Sequence, residues 1–155
     1  TLDMLEELGV FKKKEMEAFY VIRMGSFVKS IEIEMAVLRD MVWEGILPAL
    51  SKQIILEKAS YSSVEGMDVP GLEAWNTHIT KLAKAKVELM EKTQKLVEMK
   101  ERFADLDLRA HAEALVIESV PLMNEIRKVT DAVEIYISAE NMAYPNYRSL
   151  LSLSA

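Results

Sequence analysis

The sequence predicts an all-α fold: an elongated antiparallel bundle of three long helices, with short helical segments at the ends. Three observations predict it. The 155 residues contain only five Gly and four Pro, too few turn formers for an all-β chain, while half the residues are hydrophobic. Three long stretches carry apolar residues at helical spacing. One stretch alone, residues 59–69 (ASYSSVEGMDV), reads as a clear loop. The length suits a single domain, residues 1–155, able to bury a core of its own.

Taken in order, a short helical segment runs from Leu2 to Leu8 and stops at Gly9, a residue suited to the position after a helix end. The first long helix begins near Lys13 and runs to about Ile46. Beyond Pro48 it continues, bent, to about Lys58, because proline lacks an N–H and its ring crowds the carbonyl of Glu44. The second helix starts at Pro70, a good first helical residue, and ends near Phe103. Its seam keeps seven-residue spacing through Trp75, Leu82, Leu89, Leu96 and Phe103. The partner positions begin with Leu72 and Ile79 and fail at Lys86 and Thr93, where Ala83, Met90 and Val97 fill the adjacent side. The link Ala104-Asp105-Leu106-Asp107 is tight, and either aspartate suits the cap of a third helix. That helix alternates steps of four and three through Leu108, Ala112, Leu115, Ser119, Leu122, Ile126, Val129, Val133 and Tyr136, with Pro121 bending it. So short a link forces helices two and three antiparallel.

The first long helix is more apolar than such a bundle requires. One stripe reads Tyr20, Met24, Phe27, Ile31, Leu38, and a second reads Val21, Val28, Met35, Val42, Ala49, with Trp43 off both. Two readings follow: a helix central to the bundle, or one with an outer face that docks on another domain or subunit. On the second reading the candidate contact residues are Val21, Val28, Met35, Val42 and Trp43, joined from the tail by Tyr147 and Arg148.

Charge and motif content exclude several functions. Net charge is -6, and the densest basic cluster, Lys12-Lys13-Lys14, runs directly into Glu15 and Glu17, so neither nucleic acid nor an anionic membrane is an expected partner. There is no cysteine, hence no disulfide, thiolate metal site or Cys nucleophile, in keeping with a cytoplasmic location. No signal peptide opens the chain, and no uncharged apolar run approaches membrane-spanning length. The chain opens on Thr1 and reads as the middle of something longer.

No active site is expected. Trp75 and Leu108 stand three residues before His78 and His111, so the Glu-x-x-His spacing of di-iron bundles is missing, as is His-Glu-x-x-His. Glu32 and Glu34 flank Ile33 and point to different helix faces, Glu113 and Glu118 lie off the apolar seam, no Gly-rich loop follows a strand, and Ser62-Ser63 has no base nearby in sequence. The ten methionines fall mostly on or beside the core stripes, as core filling. Neither catalytic, cofactor nor metal residues are therefore assigned.

Two segments resemble a known family. Leu8-Gly9-Val10-Phe11 leads into a long helix containing Lys29-Ser30-Ile31-Glu32-Ile33-Glu34 and ending Ile46-Leu47-Pro48-Ala49. The tail reads Pro145-Asn146-Tyr147-Arg148-Ser149-Leu150-Leu151. Both are similar to the C-terminal region of type III glutamine synthetases, in its Gly-Val-Phe/Leu start and its closing Pro-x-Tyr-Arg-x-x-Leu. The family's Trp-Pro before the tail is replaced here by Met142-Ala143-Tyr144, and its Arg near the start of the long helix is missing from Glu17-Ala18-Phe19-Tyr20. The resemblance implies a parent enzyme that joins ammonia to glutamate using ATP and Mg2+ or Mn2+, in nitrogen assimilation, as a large homo-oligomer. Its catalytic motifs are not in this sequence. The expected role is thus a non-catalytic C-terminal helical domain, partnered by the catalytic domain of the same polypeptide and serving assembly or packing. The alternatives are a stand-alone helical interaction module, suggested by the heptad seam, and a cofactor-binding bundle enzyme, for which the ligand spacings are missing.

Overall fold

A computed structural model of the chain describes residues 12–145. The expected helix over Leu2–Leu8 and the tail residues Tyr147 and Arg148 lie outside them. The described residues are all-helical, in three continuous runs without strands. The first run comprises α1 (Lys13–Asp40), a π-helical turn (Met41–Ile46) and α2 (Leu47–Val64). The second is α3 (Leu72–Phe103). The third comprises α4 (Leu108–Ala114), a second π-helical turn (Leu115–Ser119) and α5 (Val120–Glu134).

The two prolines explain the two π turns. Pro48 and Pro121 each stand at the second position of the segment that follows a π turn. A proline inside a helix leaves one carbonyl without its donor and presses its ring on the preceding turn. Here the turn before it is widened: the Leu47 N–H bonds the Val42 carbonyl and the Val120 N–H bonds the Leu115 carbonyl, each five residues back. The extra residue per turn makes room for the ring, and the helix continues past both prolines.

The first link differs from expectation. The helix continues through residues 59–64, and only 65–71 forms the connection. Serine content made this stretch read as loop, but its side chains have helical work. Tyr61 packs edge-on against Trp75 at 5.9 Å between ring centres, Lys58 lies over the Tyr61 ring, and the Ser63 hydroxyl donates to the Ser60 carbonyl at 2.7 Å. The second helix also starts later than Pro70. Gly71 precedes it at φ 87°, a left-handed conformation that ends the turn containing Pro70. The second link is as expected. Asp107 caps the third run, its Oδ1 accepting from the Arg109 and Ala110 N–H groups at 3.0 Å. Asp107→Ala is expected to cost about 1 kcal/mol of unfolding free energy, checked by urea denaturation.

The core is continuous along the molecule. α2 packs on α3, α3 on α5, and α1 on α4. The seam of α3 is buried at Leu82, Leu89, Leu96 and Phe103, meeting Leu115, Leu122, Ile126 and Val133 from the third run. The seam's apparent failure at Thr93 is not one. Its side chain is fully buried because its hydroxyl donates to the Leu89 carbonyl at 2.5 Å, which satisfies the polar group inside its own helix. Trp75, at the start of the seam, is held by its ring N–H donating to Glu57 Oε2 at 2.8 Å, which ties α3 to the end of α2.

Polar contacts between α3 and the third run follow one register. Lys92 meets Glu125, Met99 meets Ser119, and Arg102 meets Glu118. Lys92 Nζ lies 2.6 Å from Glu125 Oε2 and 3.4 Å from Glu88. The hydrogen bond to Glu125 raises the Lys92 ammonium above its ordinary value, against the opposing pull of burial, and the same bond lowers the Glu125 carboxyl. The Glu125 contribution to stability is therefore complete above the ordinary carboxylate range and is lost as pH falls through its lowered folded value. That of Lys92 is complete below the ordinary lysine value and lost as pH rises through its raised one. Glu125→Gln is expected to show a smaller drop in urea midpoint between about pH 6 and about pH 3 than the unsubstituted chain.

Candidate functional site

Most of the interior is hydrocarbon, so the places where this molecule can do something lie where helices leave apolar surface open or where the tail crosses the bundle. The first is the tail crossing. Gln53 on α2 donates to Glu57 Oε1 at 3.0 Å, and its own Oε1 accepts from the Ser138 N–H at 3.2 Å and the Asn141 side chain at 3.5 Å. Glu57 in turn holds Trp75. One amide thereby joins the start of α3, the end of the first run and the segment after α5. Farther along, Tyr144 lies against Gly45 inside the first π turn. Gly45 is buried, and a Cβ placed there would meet Tyr144 Cδ2 at 2.8 Å and Cζ at 3.2 Å. Glycine is required at this position by that close approach, since its backbone is not in the left-handed region. Beside the ring, an open cleft of about 400 Å³ runs between Leu38, Met41, Ile46, Thr130 and Met142.

The second place is the N-terminal half of α1. An open groove of about 540 Å³ lies between Tyr20, Met24 and Phe27 on α1 and Ala112, Val116 and Ile117 on the third run, with Arg23, Arg109 and Glu113 at its edge. The Arg109 guanidinium is bonded to Glu113 at 3.0 Å, which raises it further above its ordinary value. Deeper between the same elements, His111 Nε2 stands 3.6 Å from Glu32 Oε1, with the Phe103 ring beside it. Among the described residues no group of three or more His, Asp or Glu is placed to hold a metal ion, and no helix is long and apolar enough to cross a membrane.

The candidate contact residues separate into three groups. Val28, Met35 and Val42 are buried in the chain's own core, at 6%, 3% and 1% exposure, so they are not an outer face. The reason is angular. At 100° per residue, the two stripes read from α1 lie within about a third of a turn of each other and merge into one broad inward face. Val21 and Trp43 are exposed. Tyr147 and Arg148 lie outside the described residues. The sequence reading missed a different set on α1: Phe19, Ile22, Ile33 and Val37, all more than half exposed. Their spacing places them on the face turned away from Val28, Ile31 and Met35. The signal was in the sequence as a three-four pattern, but Ser26 and Ser30 occupy its middle positions and break the stripe.

Comparison with known proteins gives this helix a context. Residues 1–62 match the family described as the glutamine synthetase C-terminal domain, a stretch that takes in α1, the first π turn and nearly all of α2. The chain is 28% identical over 162 residues to a glutamine synthetase of Butyrivibrio fibrisolvens, with 97% of this chain and 22% of that protein covered. The chain thus spans about a fifth of the length of that relative. No solved structure matches it. With the family match on its opening helix and the similarity carried through the hairpin behind it, the chain is similar to glutamine synthetase in that enzyme's C-terminal domain.

Proposed function

We propose that this chain is the non-catalytic C-terminal domain of an ATP-dependent glutamate–ammonia ligase of the type III kind, working in cytoplasmic nitrogen assimilation. In this reading it forms an antiparallel three-helix bundle that packs on the catalytic part of the same polypeptide and supports its homo-oligomeric assembly. The observation that carries the proposal is the whole-chain similarity to a glutamine synthetase four to five times longer, with the family's C-terminal domain matched at residues 1–62. The falling register of Lys92–Glu125, Met99–Ser119 and Arg102–Glu118 supports the antiparallel arrangement. In this reading the ATP and Mg2+ or Mn2+ that such a ligase uses are held by the catalytic part of the enzyme.

A stand-alone interaction module is the weaker reading. Its support was the heptad seam from Trp75 to Phe103, and Leu82, Leu89, Leu96 and Phe103 are already buried against the chain's own helices. A seam spent on the internal core cannot also pair with another molecule. The test is removal of residues 12–145 from the full-length gene product. Loss of the native assembly in light scattering, together with loss of turnover, is the expected result. Normal assembly and turnover without these residues would refute the accessory role.

A further inference from the structure

We infer that the outward stripe of α1, formed by Phe19, Ile22, Ile33 and Val37, is the surface on which the remainder of the longer polypeptide packs. This rests on the reading of the chain as one domain of a larger ligase. The four side chains are 57%, 66%, 62% and 51% exposed, on a helix whose opposite side already carries the core residues Val28, Ile31 and Met35. A helix buried on one side and apolar on the other has a second thing to pack against. Between them the stripe holds only the small side chains of Ser26 and Ser30, which let a neighbouring backbone approach closely, and Arg23, Lys29 and Glu34 border it as an exposed polar rim.

Two observations select the occupant. The family match ends at residue 62, so what this chain shares with that domain family is the helix bearing the stripe, whereas the hairpin of α3 and the third run that fills its inner side lies outside the match. The similar glutamine synthetase, moreover, has nearly four-fifths of its length outside the region this chain covers. A shared helix with an open apolar side and a large remainder in the similar enzyme fit one another. A second copy on the same stripe would come off on dilution, whereas a segment of the same polypeptide would stay.

Side-chain oxidation by hydroxyl radicals, read by mass spectrometry on the full-length gene product, tests this with internal controls. Ile135, at 75% exposure, lies just past the end of α5 and serves as an open reference. Corrected for intrinsic reactivity, Phe19, Ile22, Ile33 and Val37 are expected to oxidise at least about fivefold less than Ile135, as apolar side chains do inside a protein interface. Ile22→Glu with Ile33→Glu is expected to abolish protection at Phe19 and Val37 while leaving Leu89 and Ile126 unreactive, which shows the bundle still folded. Oxidation of the stripe at the reference level in a preparation that makes glutamine overturns the inference and leaves the ligase reading standing. Protection that disappears on dilution overturns it in favour of a contact between copies. A gene product made of these 155 residues and nothing more overturns both.

Discussion

Leu89→Ala is expected to lower the unfolding free energy by about 2–5 kcal/mol, the largest single effect in the molecule. Leu89 is wholly buried at the middle of the α3 seam, and its neighbours along the seam, Leu82 and Leu96, are also almost without exposure. The substitution removes the transfer energy of the lost methyl and methylene groups and leaves a void between two long helices. These cannot close on it without displacing Leu82 and Leu96 as well. Thr93 makes the site more sensitive, because its buried hydroxyl depends on the Leu89 carbonyl staying in place. Met90→Ala, one residue on and 38% exposed, is expected to change stability by about 0.5 kcal/mol or less. Urea denaturation of both variants reads the difference, and equal effects would show that the seam is not the core of this fold.

Gly45→Ala is expected to reverse sign with the identity of residue 144. In the native chain the added Cβ meets the Tyr144 ring closer than real side chains pack, so either the π turn shifts or the tail leaves its seat, at a cost on the order of 1–3 kcal/mol. With Tyr144→Ala the obstruction is gone, and alanine's preference for helix over glycine, about 1 kcal/mol, is free to act. The double-mutant cycle should therefore show a coupling of about 0.5–3 kcal/mol between the positions. Hydrogen exchange of residues 138–145 should rise in Gly45→Ala alone. Purely additive effects would mean that Tyr144 does not rest on Gly45 in solution.

Much of this fold can be read from periodicity. The α3 seam, the tight link at 104–107, the capping role of Asp107 and the four-three pattern of the third run all follow from side-chain spacing and cap chemistry. What escaped reading depended on contacts between residues far apart. Residues 59–64 are helical because Tyr61 finds Trp75 across the link, a partner that their serine-rich composition does not reveal. Gly45 looks like a weak point in a helix until Tyr144 arrives from a hundred residues away to occupy the space. The prolines announce a disturbance, but not that a widened turn absorbs it. The contact surface was the least legible. Two stripes close in angle read as two faces, which left open whether Val28, Met35 and Val42 turn inward or outward; they belong to the core, and the outward stripe is hidden by its two serines.

The central claim is that this chain belongs to a ligase whose chemistry is done elsewhere in the same polypeptide. Glutamine formation from glutamate, ammonia and ATP, measured for the full-length gene product beside residues 1–155 alone, tests it most directly. The account predicts turnover by the full-length protein and none by the 155-residue chain. Glutamine formation by the short chain itself, or a full-length protein that folds and assembles yet makes none, would contradict it.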